Sequence, residues 1–277
     1  MSTEAGTNGN GKTAALARQE EIAAAGESIQ RAVSECGVMA IQKEAPFMQA
    51  IRMSFGVGLI RKALTDDFVS RYFMPLQGTA LGFLTDLDTK GGYDVKVVKD
   101  VLCEALLRGF RPVGNEFNII SGRFYGAKAG FERIVQEWPG LSGLQIDMGV
   151  PHLAGEKGAL VACRARWFLD GEEMKLECVA GASASDVDTR IPVKVNAGMG
   201  PDAILGKATR KLYARIYQRL SGCSRDVVDT EPEVIPAESL PAPAAPAQDG
   251  KRMKMGGSKA TDPASDADGH PEPGAAG

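Results

Sequence analysis

Residues 115–135 constrain the fold most, because their side-chain periodicity changes from that of a strand to that of a helix. Residues 117–120 alternate as in a strand, Ser121-Gly122 favours a tight turn, and residues 123–125 can return as the partner strand. From Ala127 onward, apolar residues recur at helical spacing, as at Phe131, Ile134 and Val135. The stretch therefore predicts a β-hairpin that runs directly into a helix.

The same stretch concentrates candidate ligand-binding side chains. Cations and aromatic residues occur together near a predicted helix start, whose backbone amides attract anions: Arg123, Tyr125, Lys128, Phe131 and Arg133. One interpretation is a working surface that contacts an anion. The other is an ordinary amphipathic hairpin with solvated charges, in which Phe131 packs into the core. The stretch by itself leaves both open.

Composition predicts one sizeable core with tails and excludes several classes of protein. Hydrophobic residues make up 44% and charged residues 24% of the chain, without an apolar run near the roughly 20 residues of a membrane span. We see no secretory leader, and the five cysteines are scattered without paired spacing. His152 is the only histidine outside the tail, which leaves little material for a zinc site. We therefore expect a cytoplasmic protein with free thiols and no membrane partner.

Two motif-like segments are rejected as ligand sites. Residues 6–13 match the phosphate-loop pattern GxxxxGK[ST], but the few polar residues before them cannot form the strand that such a loop requires. Residues 85–93 resemble a calcium loop, yet Lys90 stands at a ligand position and Val97 replaces the twelfth, acidic ligand. We predict a turn there. No cofactor is predicted, except that Mg²⁺ is left open.

Beyond the hairpin, the periodicity predicts helices before it and antiparallel strands after it. Residues 47–64 read as a core helix, with Phe47, Ile51, Phe55, Leu59 and Ile60 inward; helices are also predicted at 14–35, after Thr65, and at 95–108. Strands are expected within 141–180, around the hairpin signal Asp170-Gly171, and near 191–195. The fold class is α+β, with helices packed on small antiparallel sheets or hairpins. The expected domains are a disordered leader (1–13), a helical segment (14–46), the core (47–222) and a disordered acidic tail rich in Pro and Ala (223–277).

Residues 201–220 predict a helix with two distinct faces. One face is an apolar stripe, and the other carries four cations, with Tyr213 and Tyr217 beside it: Lys207, Arg210, Lys211 and Arg215. A cationic stripe of this kind is typical of a helix that follows a phosphate backbone. The alternative is a solvated helix face.

Several of these segments occur in an order that resembles a known family. A helix ends in the turn Gly109-Phe110-Arg111-Pro112, residues 124–131 read FYGAKAGF, a strand hairpin follows at 160–180, and residues 206–215 read GKATRKLYAR. Over about residues 47–222 the chain resembles the RecT/Red-beta group of phage single-strand annealing proteins. The resemblance implies a mixed α/β core, rings or filaments on DNA, a phage exonuclease and a host single-strand-binding protein as partners, and recombination without nucleotide hydrolysis.

The function predicted is ATP-independent binding and annealing of single-stranded DNA, without covalent chemistry. Annealing requires a site that holds phosphates and leaves base edges free, so the cations of the hairpin segment and of residues 201–220 would line a groove in which Tyr125 or Phe131 stacks on bases. An alternative is a metal-dependent nuclease, because Asp147, Glu173 and Lys175 faintly match the D…ExK arrangement. A further alternative is a non-catalytic phage structural protein.

Overall fold

The computed structural model describes residues 8–181 and 187–222, with side chains from residue 15 onward. Within these ranges, seven helices pack around three small sheets, which confirms the α+β class. The predicted tail at 223–277 and the start of the predicted leader lie outside the described residues. The described part of the predicted leader belongs to the first helix, which begins at Asn8 rather than at residue 14.

Four helices precede the first strand: α1 (Asn8–Cys36), α2 (Val38–Ile41), α3 (Pro46–Ala63) and α4 (Asp66–Tyr72). α1 packs along α3, and Gly56 permits the close approach, since a Cβ there would lie 2.7 Å from the Cβ of Cys36. The Thr65 hydroxyl caps α4 by accepting a hydrogen bond from the Phe68 amide at 3.1 Å, as the sequence predicts.

Only part of the apolar side predicted for α3 faces the core: Ile60 is buried and Leu59 packs against the core. Gly56 and Ile60 are buried, whereas Phe47, Ile51 and Phe55 are 76%, 47% and 57% exposed. The first four turns of this helix carry apolar residues on nearly every side, so their spacing predicts a helix but cannot tell which side faces the core. Met53, Gly56, Val57 and Ile60 face inward, whereas Phe47, Ile51 and Phe55 face outward.

A short strand and a capped helix follow. β1 (Leu84–Thr85) leads into the segment predicted as a turn, where the Asp88 carboxylate accepts hydrogen bonds from the backbone amide and the hydroxyl of Thr85. α5 (Val95–Leu107) begins at Asp94, whose carboxylate accepts a hydrogen bond from the Val97 amide. Gly109 follows the end of α5 and has a φ of +88°, a conformation that glycine adopts without strain.

The predicted hairpin and helix at residues 115–135 are confirmed as β2 (Phe117–Ile120), β3 (Arg123–Gly126) and α6 (Lys128–Gln136). The two turn residues Ser121 and Gly122 both have positive φ, at 51° and 70°. β1 pairs with β2 in parallel, so these strands form the three-stranded β1–β2–β3 sheet. α6 then packs against the last helix, α7 (Pro201–Ser221).

Two further sheets are antiparallel, as the sequence predicts. One contains β4 (Leu141–Met148), β7 (Cys163–Leu169) and β8 (Glu172–Cys178), and the other contains β5 (His152–Leu153), β6 (Gly158–Val161) and β9 (Ile191–Lys194). Asp170 and Gly171 form the predicted turn between β7 and β8, with φ of 52° and 90°. Helix α7 contacts β9 and β6 as well as α6.

The core of the described chain contains its cysteines and most of its large aromatic rings. The four described cysteines are free and buried, as the scattered spacing predicts: Cys36, Cys103, Cys163 and Cys178. Burial raises the pKa of the Cys163 thiol to about 12, which keeps it neutral. Over the described residues, no helix is long and apolar enough to cross a membrane.

Candidate nucleic-acid interface

The outward side of the β2–β3 hairpin combines an aromatic ring, an amide and a cation. The strand register pairs Asn118 with Tyr125 and Ile120 with Arg123, so these four side chains share one side of the sheet. The other side carries Phe117, Ile119 and Phe124, all buried in the core. Arg123 is exposed, and the other three outward residues are partly exposed. We call these four residues the hairpin face.

Helix α7 places Arg210 on the hairpin face. Its guanidinium carbon lies 4.4 Å from the centre of the Tyr125 ring, and Nη1 donates a hydrogen bond to the Gly126 carbonyl at 3.2 Å. An arginine over an aromatic ring is attracted by the negative charge density of the ring face. Two residues predicted for the site from distant segments are therefore in direct contact.

The start of α6 adds positive potential beside Gly126. Lys128 is the first residue of α6 and is exposed. Ala127 precedes it and provides no side-chain cap, in contrast to Thr65 and Asp94 at the starts of α4 and α5. The first-turn amides of an uncapped helix carry a partial positive charge. An anion near Lys128 would be attracted by both the amine and these amides.

The tip of the hairpin is held by residues of the preceding loop. The Asp86 carboxylate accepts hydrogen bonds from the Ser121 amide at 3.0 Å and from the Tyr93 hydroxyl at 2.7 Å. The Tyr93 oxygen in turn accepts a hydrogen bond from the Gly122 amide at 2.8 Å. Burial, followed by the hydrogen bond to Asp86, raises the pKa of Tyr93 and keeps it a neutral donor. These bonds hold the backbone of the turn that precedes Arg123.

Arg133 does not lie on this surface, contrary to the prediction. Its guanidinium forms two hydrogen bonds of 2.6 Å with the buried Glu116 carboxylate, and it also contacts the Gly109 carbonyl at 2.7 Å and Glu137 at 2.7 Å. Burial lowers the pKa of Arg133, but the hydrogen bonds to Glu116 and Glu137 outweigh that effect and raise it. The side chain ties α6 to the Gly109 turn.

Phe131 is also removed from the surface. The residue is 1% exposed, and its ring packs edge-on against Phe110 at 5.1 Å and at a tilt against Tyr217 at 5.5 Å. Gly126 and Gly130 make room for this cluster, since a Cβ at Gly126 would lie 2.6 Å from the Phe131 ring. The alternative of core packing is therefore confirmed for Phe131, and base stacking by this ring is wrong.

The predicted cationic stripe on α7 is divided between two environments. Arg210 faces the hairpin, whereas the other three cations donate hydrogen bonds to backbone carbonyls of the segment that ends in β9. These bonds join Lys207 to Lys194 at 3.0 Å, Lys211 to Pro192 at 2.8 Å and Arg215 to Thr189 at 3.3 Å. β9 is an edge strand of its sheet, and edge carbonyls need partners. These three cations attach α7 to the sheet edge instead of forming an open groove.

Lys211 illustrates this structural role, because it is only 7% exposed. We expect Lys211→Met to lower the free energy of unfolding by about 1–3 kcal/mol, since the Pro192 carbonyl loses its charged donor while the aliphatic packing remains. Urea denaturation measures the change. The same substitution should leave the salt dependence of DNA binding unchanged. A reduced salt dependence in a normally folded variant would contradict this assignment.

One polar residue of the hairpin face was not predicted as a site residue from the sequence. Asn118 lies opposite Tyr125, and its Oδ1 atom is buried without a hydrogen-bond partner among the described residues. The residue as a whole is partly exposed, and the carboxamide also carries an NH₂ group that can donate to a base edge. The signal was present in the sequence, since strand alternation places Asn118 on the side opposite to Phe117 and Ile119.

No protein-family model, curated protein or solved structure matches this chain. The likeness to annealing proteins therefore stays a prediction from the sequence, and the geometry of the hairpin face is the main support for a function.

The residues of the nuclease alternative do not come together. Asp147 on β4 pairs with Arg164 of β7, and Arg164 in turn pairs with Glu177 of β8. Glu177 lies four residues after Glu173 on the same strand. With strands about 4.8 Å apart and a rise of about 3.4 Å per residue, the Cα atoms of Asp147 and Glu173 are separated by roughly 17 Å. Lys175 instead pairs with Glu173 at 3.1 Å on the solvent side. One metal ion cannot bridge such a separation, and among the described residues no His, Cys, Asp or Glu cluster could hold a metal ion.

Proposed function

We propose that this protein binds single-stranded DNA on the hairpin face and anneals complementary strands without ATP, as a homo-oligomer acting in phage-type homologous recombination. The observation that carries the proposal is the stack of Arg210 on Tyr125, with exposed Arg123 and Lys128 on either side of it along the chain. A planar aromatic–guanidinium pair flanked by cations suits unpaired nucleotides, whose bases stack and whose phosphates are negative.

The side chains on and beside the hairpin face favour binding of a DNA strand without sequence preference. Cations contact phosphates irrespective of base identity, and stacking tolerates any base. Asn118 is the one amide on the hairpin face, so base reading by hydrogen bonds would be limited there. A strand held by its backbone keeps most base edges available for a second strand. This is the requirement for annealing.

The proposal needs no nucleotide and no bound cofactor. Mg²⁺ enters at most as a counterion that screens the phosphates of the two strands. In keeping with the family resemblance, the partners proposed are a phage exonuclease that produces single strands and a host single-strand-binding protein that covers them. The site of action would then be the bacterial cytoplasm.

The deciding experiment mixes labelled complementary oligonucleotides with the protein, in the absence of ATP, with and without Mg²⁺. We expect pairing to be faster than the spontaneous reaction and the DNA to stay intact. Degradation that depends on Mg²⁺ would support a nuclease instead. If the strands neither pair faster nor are cut, the proposal is wrong and a structural role is favoured.

A further inference from the structure

We propose that the exposed side of α3 is a self-association surface that packs against α3 of a second copy of this chain. This surface, which we call the α3 face, consists of two neighbouring rows at a spacing of four residues. One row is large, namely Phe47, Ile51 and Phe55, and the other is small, namely Ala50, Ser54 and Gly58. The proposal assigns a contact surface to the homo-oligomer of the proposed function, and its tests need neither the hairpin face nor DNA.

The α3 face is apolar to a degree that surface helices seldom show. Phe47 is 76% exposed and Phe55 is 57% exposed, so these two rings alone present on the order of 250 Å² to solvent. An open groove runs beside them, lined by Ala50, Ile51, Ser54, Phe55, Gly58 and Leu59. The largest apolar patch on a monomer's surface, usually a few hundred Å², is often functional.

The large row forms a ridge and the small row forms a groove on the same helix, which points to a second copy of this chain as the occupant. When two helices pack, side-chain rows at a spacing of four on one helix fit between the corresponding rows of the other, at a crossing angle of about −50°. About a two-fold axis, the large row of each copy enters the small row of its partner. A partner without this pattern would not fill both rows.

Gly58, the last member of the small row, fits this arrangement. A Cβ at Gly58 would meet nothing within 4 Å, so packing among the described residues does not require a glycine there. Glycine inside a helix is less favourable than alanine or leucine. Gly56, by contrast, is explained by its contact with α1. The unexplained glycine lies at the end of the small row, where it deepens the groove.

The charges around the α3 face do not oppose self-association. Arg52 pairs with Glu44 at 3.4 Å, and Arg61 pairs with Asp100 at 2.8 Å. Lys62 lies at the far end of the helix. No charge stands within either row, so two copies bring no like charges together at the centre of the contact. The area is below the roughly 800 Å² per partner of a standard interface, which predicts concentration-dependent association.

The first test measures the mass of the DNA-free full chain by sedimentation over a wide range of concentrations. We expect dimers that dissociate on dilution, and association weakened roughly tenfold or more by Ile51→Glu/Phe55→Glu. Both residues are exposed, so thermal stability should be retained. Ser70→Glu, at an exposed position on α4, is the control and should associate normally.

A second variant separates specific packing from general stickiness. Gly58→Leu adds apolar surface and favours the helix, yet it fills the groove. We therefore expect a higher melting temperature together with weaker association. Stronger association of Gly58→Leu would overturn the proposal, because it would indicate non-specific contact.

Disulfide trapping tests the two-fold geometry in a Cys223→Ser background, in which the four described cysteines are buried. Ser54 lies at the middle of the small row, near the expected axis, so Ser54→Cys should form a covalent dimer under mild oxidation. Ser70→Cys, the matched control, should not. The proposal is overturned if Ser54→Cys forms no covalent dimer. It is also overturned if the wild type has the mass of one chain at every concentration, or if the association of the wild type is not weakened by the α3 substitutions. A monomeric wild type would be the result if the chain's own segment 223–277 or a different protein covered this face.

Discussion

Replacing Arg133 with methionine is expected to lower the free energy of unfolding by about 3–5 kcal/mol, the largest change in stability that we predict for a single substitution. The reason is the Glu116 carboxylate, whose residue is 7% exposed and which receives both of its guanidinium hydrogen bonds from Arg133. Without Arg133 that negative charge stays buried, and the Arg111 amide, which donates to it at 2.8 Å, cannot neutralise it.

The same substitution also breaks a bridge between elements. Arg133 donates to the Gly109 carbonyl, so its loss frees the turn that joins α5 to β2. Equilibrium urea denaturation measures the change. Arg111→Met is the matched control, because Arg111 is exposed and contacts Glu137 at 3.3 Å without a buried partner. We expect that control to change stability by about 0.5 kcal/mol or less.

A double variant tests the physical cause. Glu116→Leu/Arg133→Met removes both charges, so it should be more stable than Arg133→Met alone, because no unpaired charge remains buried. If Arg133→Met cost less than about 1 kcal/mol, or if the double variant were the less stable of the two, the structural role given to this pair would be wrong.

The combined substitution Arg123→Ala/Tyr125→Ala/Lys128→Ala is expected to weaken single-strand binding on the order of 100-fold. Loss of the ring removes a stacking contact worth about 1–3 kcal/mol, and the two cations remove phosphate contacts. Each phosphate contact contributes about −0.7 to the slope of log affinity against log salt, so the slope should become less steep by about 1.4. Fluorescence anisotropy with an oligothymidine at several salt concentrations measures both quantities.

The control for this variant changes charge without touching the hairpin face. Lys62 and Lys96 are exposed on α3 and α5, and Lys62→Ala/Lys96→Ala removes the same charge. We expect that control to bind nearly as the wild type does. Arg210 is kept in both variants because it bonds the Gly126 carbonyl, and its loss would disturb the hairpin. Equal slopes for the two variants would remove the hairpin face from the binding site.

Much of the secondary structure could be predicted because local chemistry specifies it. Two tight turns require positive φ, and the residues that adopt it are of types that favour turns: Ser121, Gly122, Asp170 and Gly171. Thr65 supplies the hydroxyl that begins α4, and Gly109 supplies the end of α5. These features involve neighbours in sequence, so they can be read without knowing the fold.

The candidate site could be predicted only in part. Tyr125 and Arg210 were both predicted from the sequence, and the structure brings them into contact. Arg133 and Lys211 were predicted for their charge, but each donates to an acceptor inside the protein. Nothing in helical periodicity distinguishes a cation that faces solvent from one that reaches a buried carboxylate or a strand edge. Asn118 was missed although strand alternation places it on the outward side, because the sequence search for the site was limited to cations and aromatic residues.

By itself, the sequence determined the order and type of the main helices and strands, the turns between them and the α+β class, because these depend on residues a few positions apart. Tertiary structure alone decided which side of α3 faces the core and which cations of α7 reach the hairpin or the β9 edge. The physical reason is that the spacing of side chains fixes their positions relative to one another on a helix. Which of those positions is covered depends on packing partners from remote parts of the chain, such as α1 for Gly56 and β9 for Lys211.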